Sequence, residues 1–187
     1  MVVHDQDLVD LLAEFRTDRF AGEVFRATRT GADPTAPSIS GGRWGPPPGD
    51  GPGVYVLYTS LDRDGAIAEV ASFLAQLTPI PGPRPIKVTR LAATTARTLR
   101  LAFADLTRLG VDPAQYGERD YRRTQRIGAA LAFLGIDGLI APSARWSCEN
   151  LMIFGENHAL TERLDPLSEE EVDWRAWARD KGVIPDP

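Results

Sequence analysis

Three charged side chains stand at positions where packing alone does not require a charge. Arg26 interrupts an apolar strand-like segment, Arg43 is the sole base of a loop rich in Gly and Pro, and Glu69 lies in an apolar helical run. The planar fork of an arginine suits the oxygens of a pyrophosphate, and one carboxylate suits a positive charge that develops on a sugar. Together the three residues suggest nucleotide-sugar chemistry. Each also has a simpler interpretation as a solvated strand, loop or helix residue, because most charged side chains are exposed.

The sequence lacks the common catalytic motifs. Its segment GGRWGPPPGDGPG does not end in the GKS or GKT of a P-loop, and it runs into a strand rather than a helix. Ser143 has no flanking glycines of a nucleophile elbow, and neither His4 nor His158 has a serine or cysteine nearby in sequence. Cys148 is the single cysteine, so an internal disulfide is excluded and no Cys/His cluster is available for zinc. We therefore expect no metal.

The elements that must position these residues alternate between helices and strands. Apolar spacing predicts helices over residues 5–15, with Asp5 as the cap, and from the cap Asp62 onward. The inner face of this second helix is predicted to consist of Ile67, Val70, Leu74 and Leu77. A third helix is predicted over residues 121–134, ended by Gly135. Between the first two helices, residues 31–53 hold seven Gly and six Pro among 23 positions, which predicts an irregular loop.

Runs rich in β-branched and apolar residues predict six strands, over residues 22–28, 54–60, 85–91, 98–103, 137–143 and 150–155. Ser168 to Glu171 has the pattern of a capping box and predicts a C-terminal helix after it. The order of elements is that of a mixed α+β protein without internal repeats.

Length and composition predict one globular domain, because the chain has 187 residues, of which 43% are hydrophobic and 25% charged. The N-terminus has no secretory signal pattern, and no stretch approaches the ~18 apolar residues of a membrane span, so we expect a cytoplasmic protein without a membrane partner. The net charge is −5, of which residues 162–187 supply −4 through eight acids and four bases. Sequence-independent binding of nucleic acid is therefore not expected.

Several short motifs occur together in a fixed order. They are FR at 25–26, GGRW at 41–44, LYTS at 57–60, AIAEV at 66–70 and YRRTQRIGAALAFLGIDGLIAPSARWSCENLMIF at 121–154. In this combination the chain resembles the RES domain, the toxin family of bacterial RES–Xre toxin–antitoxin pairs. The resemblance covers about residues 22–156. It implies a single RES-type domain over residues 1–187, with that core, the N-terminal helix at about 5–15 and an acidic helical tail at about 162–187.

The resemblance also implies a fold and a reaction. The fold is a split antiparallel β-sandwich with flanking helices, similar to the ADP-ribosyltransferases of diphtheria-toxin type. Members of the family consume NAD as a substrate, by hydrolysis, by phosphorolysis or by transfer of ADP-ribose to a protein, and an Xre-like antitoxin holds them inactive. The resemblance also allows an oligomer of the toxin with its antitoxin. Which acceptor this chain uses stays open.

The family's name-giving residues correspond to Arg26, Glu69 and Ser143, and these are the implied catalytic residues. Glu69 would stabilise the oxocarbenium-like ribose, while Ser143 would bind the nicotinamide ribose or orient Glu69. Further implied pocket residues are Arg43, Tyr58 and Asn150. The two arginines would hold the pyrophosphate or the adjoining ribose, Tyr58 would stack on nicotinamide or ribose, and Asn150 would support the site.

Two departures from the family pattern concern the loop. Gly45 stands where an asparagine often follows GGRW, and the segment from Pro46 to Gly53 is longer than in compact members. Two rival functions remain: a catalytically silent NAD or ADP-ribose-binding module, and a stand-alone NAD glycohydrolase without an antitoxin. The glutamate argues against a silent module, because binding a pyrophosphate gains nothing from a nearby carboxylate.

Several aromatic residues have two interpretations. Trp44 either walls the pocket or anchors the loop on the core, and Tyr121 and Gln125 either approach the pocket or pack within the domain. Trp146 and Cys148 are expected to pack. Trp174 and Trp177, three residues apart, either pack on the domain, which we favour, or form a partner surface.

Overall fold

Five helices and six strands make up the structure, a computed structural model that describes residues 5–49 and 53–185. The strands are β1 (Thr17–Arg29), β2 (Val56–Ser60), β3 (Ile86–Arg100), β4 (Gly138–Pro142), β5 (Glu149–Phe154) and β6 (Leu164–Val172). The helices are α1 (Gln6–Ala13), α2 (Arg63–Leu74), α3 (Phe103–Arg108), α4 (Arg122–Phe133) and α5 (Trp174–Asp180), with a short 3₁₀ turn at Pro113–Gln115. The mixed α+β class is confirmed.

The strands form a closed ring. Their order is β1-β2-β5-β4-β3, and β3 returns to pair with β1, so that every strand of the ring has two neighbours. All these pairs are antiparallel except β3 with β4, and β6 adds to β3 outside the ring. A closed ring leaves few unpaired edges. The hydrogen bonding thus describes one closed sheet, where the family resemblance led us to expect two separate layers.

The buried apolar residues form three cores, one among the strands of the ring and two between the helices and the ring. Seven buried residues from its strands form the first: Val24, Leu57, Leu91, Ala93, Ile140, Leu151 and Ile153. A second core joins α1, α3 and α4 to the sheet, and a third joins α2 and α5 to the start of β3. Burying a side chain such as Leu131 or Ile67 contributes about 1.5–3 kcal/mol each, so these cores fix the helices that carry the site.

The two predicted helix caps, Asp5 and Asp62, are confirmed. Asp5 accepts a hydrogen bond from the backbone N–H of Leu8, and Asp62 accepts one from Gly65. Such caps satisfy amide groups that have no partner within the helix. Gly135, with a φ of +70°, follows the end of α4 as predicted. The second helix ends at Leu74, so Leu77 lies beyond its inner face and is 40% exposed.

Two predictions about secondary structure are wrong, one about the strand β3 and one about the C-terminal tail. The runs at 85–91 and 98–103 belong to one strand, β3, because the residues between them continue to pair with the long strand β1, as in Ala93 with Gly22. The tail is not wholly helical either. The predicted capping box at Ser168 to Glu171 lies in β6, where its backbone pairs with β3 and Glu169 forms a 2.8 Å ion pair with Lys87. Tertiary pairing here overrides the local helical signal, and Asp173 caps α5 instead.

Candidate active site

A cavity of about 400 Å³ opens beside the Gly/Pro loop, between α2 and the strands β1, β2 and β5. Five of the six predicted site residues line this cavity: Arg26, Arg43, Tyr58, Glu69 and Asn150. The sixth, Ser143, follows β4 and contacts Glu69. Site residues that lie as far apart in the sequence as Arg26 and Asn150 thus meet at one place, because the ring brings several strands together.

Glu69 is held on one side of its carboxylate. Ser143 Oγ and Asn150 Nδ2 each donate a 2.9 Å hydrogen bond to Glu69 Oε1. Ser143 Oγ in turn accepts hydrogen bonds from the backbone N–H groups of Arg145 and Trp146, at 3.1 and 3.2 Å. The hydroxyl proton of Ser143 is therefore directed at Glu69, and Ser143 orients the carboxylate.

The second carboxylate oxygen, Glu69 Oε2, has no hydrogen bond or ion pair with any residue that the structure describes. Oxygens of an ionised carboxylate accept hydrogen bonds readily, so Oε2 remains available to a ligand in the cavity. Fixing one oxygen while leaving the other free pre-orients the group without neutralising it. This arrangement suits electrostatic stabilisation of a positive charge.

Arg26 is half-buried on β1. Its Nη1 donates to the carbonyl oxygens of Pro34 and Ala36, at 2.9 and 2.6 Å. Burial lowers the pKa of Arg26 below its ordinary value, and the charge of Asp33 opposes that change. The side chain thus ties the start of the loop to β1 while its guanidinium lines the cavity.

Arg43 lies between two aromatic rings. Its guanidinium carbon is 4.7 Å from the ring centroids of both Tyr116 and Tyr121, and Nη1 donates to the carbonyl of Tyr116 at 2.6 Å. Cation–π contacts of this kind contribute roughly 0.5–2 kcal/mol each, more where the pair is shielded from water. Arg43 therefore joins the GGRW segment to the chain before α4.

Tyr58 holds the same segment from the other side. Its hydroxyl accepts a 3.1 Å hydrogen bond from the backbone N–H of Trp44. A Cβ at Gly42 would lie 2.6 Å from this hydroxyl oxygen, so the close approach requires glycine there. Trp44 itself is only 2% exposed and belongs to the core. Trp44 therefore anchors the loop on the core, and it also lines the cavity, so both interpretations apply.

Helix α4 also contacts the Gly/Pro loop. Gln125 Nε2 donates to the carbonyl of Gly42 at 2.9 Å, and Gly128 lies directly against the backbone of Trp44. Tyr121 lines the cavity through its ring. Gln125 and Tyr121 thus reach the site, one through the loop and one directly.

The cavity lining also includes Phe73, Tyr116 and Arg145, none of which was predicted as a site residue. Tyr116 follows the 3₁₀ turn, and its hydroxyl donates to the carbonyl of Pro142 at 2.8 Å. No helical or strand periodicity of apolar residues indicates Tyr116, because the 3₁₀ turn before it has no apolar repeat. Arg145 lies two positions after Ser143 in the segment PSARWS, and this short distance in sequence was the available signal.

The loop that carries Ser143 rests on the C-terminal helix. The rings of Trp146 and Trp177 are 5.4 Å apart, and Trp177 Nε1 donates to Asp64 at 3.1 Å. Trp174 is 1% exposed. Both tryptophans of α5 therefore pack on the domain, as favoured, and Trp177 also connects the Ser143 loop with α2.

The charge of the cavity is positive. Its described lining contains three arginines, Arg26, Arg43 and Arg145, and one carboxylate, Glu69. Within residues 5–49 and 53–185, no group of three or more His, Cys, Asp or Glu side chains is arranged to hold a metal ion. In the same ranges no helix has the length and apolar character needed to cross a membrane. Because its described lining has three arginines and one carboxylate, the cavity favours an anionic ligand.

Two tyrosines, the half-buried Tyr58 and the buried Tyr116, predict a change in stability at high pH. Burial raises the pKa of both Tyr58 and Tyr116 to about 12. Unfolded tyrosines ionise near their ordinary pKa of 10, so between pH 10 and 12 the folded state binds more protons than the unfolded state. The free energy of unfolding should therefore fall as pH rises through this window. Urea unfolding at about pH 9 and about pH 11 measures this decline.

The Tyr58→Phe variant provides the matched test. It should be less stable at neutral pH by about 1–3 kcal/mol, because the Trp44 N–H loses its acceptor, and its decline above pH 10 should be shallower. The exposed Tyr55→Phe variant should decline like the wild type. Equal slopes for wild type and Tyr58→Phe would remove Tyr58 as a source of the effect.

Comparisons with known proteins agree with this architecture. The family model of the RES domain matches residues 14–175. Among solved structures, the chain is similar to one described as the crystal structure of the M. tuberculosis MbcT-MbcA toxin-antitoxin complex. The TM-score is 0.75 at 17% identity, covering 94% of this chain and 97% of the compared one. At that identity the likeness concerns the fold. No curated protein sequence matches the chain.

Proposed function

The chain belongs to the RES domain family, and from this membership we propose that it is an NAD-consuming toxin of a toxin–antitoxin pair. The reaction is cleavage of the bond between nicotinamide and ribose. The ADP-ribosyltransferase-like character of the fold is part of the same proposal. The observation that carries it is the Glu69 carboxylate, with one oxygen fixed by Ser143 and Asn150 and the other available, in a cavity lined by arginines.

The geometry of Glu69 suits this reaction. When the bond breaks, its electron pair leaves with nicotinamide, and the anomeric carbon gains the character of an oxocarbenium ion. Nicotinamide is cationic in NAD, so it leaves without a strong general acid. Glu69 Oε2 accepts a hydrogen bond from a ribose hydroxyl and places its negative charge near the developing positive charge. Ser143 and Asn150 keep the carboxylate in place during this step.

The remaining cavity residues bind and enclose the dinucleotide. The three arginines attract its negatively charged pyrophosphate, and the rings of Tyr58, Tyr116 and Tyr121 provide apolar walls.

Expression in cells tests the proposed function. Induction of the wild-type protein should lower cellular NAD before growth stops, since loss of NAD is then the cause of the arrest. Growth arrest with an unchanged NAD level would contradict the proposal. The Glu69→Gln variant, which should keep the fold and lose most of the turnover, serves as the control.

The acceptor of ADP-ribose is water, phosphate or a protein side chain. Incubation of the purified protein with NAD, with and without phosphate, separates these cases. Free ADP-ribose indicates water, a phosphorylated ADP-ribose formed only with phosphate indicates phosphorolysis, and an added ADP-ribosyl mass on a protein indicates transfer.

An Xre-like antitoxin is the proposed partner. The similarity to a chain of a toxin–antitoxin complex supports an antitoxin as the partner, and its Xre-like type is part of the proposal. Because the cavity is positive, we expect the antitoxin to present a carboxylate to it and to exclude NAD. Saturating NAD should then weaken the complex, whereas a complex indifferent to NAD would place inhibition elsewhere.

A further inference from the structure

The three arginines of the cavity differ in how many of their donors are already used. Arg43 is covered on its two faces by the rings of Tyr116 and Tyr121. Its Nη1 and Nη2 donate to the carbonyls of Tyr116 and Glu118, at 2.6 and 3.5 Å. Both terminal nitrogens of this guanidinium are thus engaged with the chain, while three of its five N–H donors have no acceptor among the described residues. Arg43 is therefore primarily a brace of the loop.

Arg26 is partly engaged. Its Nη1 serves two carbonyl oxygens of the loop, those of Pro34 and Ala36. Nε and Nη2 have no acceptor among the described residues, so one edge of this guanidinium remains for a ligand. Arg26 contributes both to the loop and to the cavity.

Arg145 is the contrasting case. Its guanidinium has no hydrogen bond, ion pair or ring contact with any residue in the described ranges, and the residue lines the cavity. A cation without a counter-charge beside a cavity favours an anion there. The guanidinium keeps its full set of five N–H donors, in the fork geometry that matches phosphate oxygens.

The backbone of Arg145 has a fixed position relative to the reacting end of the cavity. Its N–H donates to Ser143 Oγ at 3.1 Å, and Ser143 Oγ donates to Glu69 Oε1 at 2.9 Å. The next residue, Trp146, packs on Trp177. The main chain at Arg145 is thus tied to the carboxylate, while its side chain is unengaged.

We propose that Arg145 is the principal ligand of the pyrophosphate, and that Arg43 acts by bracing the GGRW segment rather than by binding phosphate. The inference rests on the proposed function for the identity of NAD. The anion site itself, however, recognises a diphosphate group of any source. The family resemblance implied that Arg26 and Arg43 together hold the pyrophosphate or the adjoining ribose, and the proposal moves the main part of that role to Arg145.

Calorimetric titration with inorganic pyrophosphate and with ADP-ribose tests the proposal. Arg145→Gln should weaken both ligands by roughly 10- to 100-fold, the loss that corresponds to a charged hydrogen bond of about 1.5–3 kcal/mol. Arg145→Lys should recover only part of this affinity, because a point charge lacks the fork. Arg84→Gln, at an exposed arginine whose side chain has no described partner, is the matched control and should bind as the wild type does.

The outcomes separate this inference from the proposed function. Loss of pyrophosphate and ADP-ribose affinity in Arg145→Gln, with an unchanged melting temperature, supports the site even if NAD is never consumed. Wild-type affinity in Arg145→Gln overturns the inference even if NAD is consumed. A wild-type protein that binds neither ligand overturns it as well.

Discussion

Replacing Glu69 with glutamine should lower the turnover of NAD about 100- to 1,000-fold or more and leave the fold intact. The amide oxygen of glutamine can accept the same hydrogen bonds from Ser143 and Asn150 that Oε1 accepts now. The variant therefore keeps the geometry and loses the charge that meets the oxocarbenium ion. Initial rates of NAD consumption and a thermal melt measure the two expectations.

Glu156→Gln is the matched control for this variant. Glu156 is exposed just after β5, and none of the described residues pairs with its side chain. Its replacement should change neither turnover nor melting temperature. Near wild-type turnover in Glu69→Gln would remove Glu69 from the mechanism, and a large loss of stability would mean that its carboxylate has a structural role.

Replacing Gly128 with alanine should destabilise the protein by about 2 kcal/mol or more and abolish NAD consumption. Alanine normally stabilises a helix by about 1 kcal/mol relative to glycine. Here, however, its Cβ would lie 1.7 Å from the carbonyl oxygen of Trp44, so α4 and the loop must separate. That separation moves the GGRW segment, which carries Arg43, away from Tyr58. Urea unfolding and NAD consumption report the two effects.

Gly82→Ala controls for the general effect of replacing a glycine. An added Cβ at Gly82 would meet nothing within 4 Å, and its backbone does not adopt a positive φ. This change should be neutral or stabilising by about 0.4–1 kcal/mol. If Gly128→Ala were as stable and as active as the wild type, the contact between α4 and the loop would not be needed for the site.

The part of the site that sequence reasoning could find depends on residues that are unusual for their surroundings. Glu69 lies in an apolar helix and Arg26 in an apolar strand, and these contrasts are visible without a structure. The family motifs then added Ser143 and Asn150. Helix starts were equally accessible, because a cap such as Asp62 acts within three residues.

The remaining features depend on contacts between distant segments. The continuity of β3 follows from its pairing with β1, and the strand β6 from its pairing with β3, neither of which has a local signal. The engagement of Arg43 by Tyr116 and Tyr121 is also a tertiary property. Only the folded chain therefore shows which arginines are already bound by other residues and that the side chain of Arg145 is not.

The identity of the bond that breaks tests the account most directly. Purified protein should be incubated with NAD, and the products identified by chromatography and mass spectrometry. The account predicts one free nicotinamide for each NAD consumed, together with ADP-ribose or an ADP-ribosylated acceptor. Formation of nicotinamide mononucleotide and AMP, which reports cleavage of the pyrophosphate, or recovery of intact NAD would contradict it.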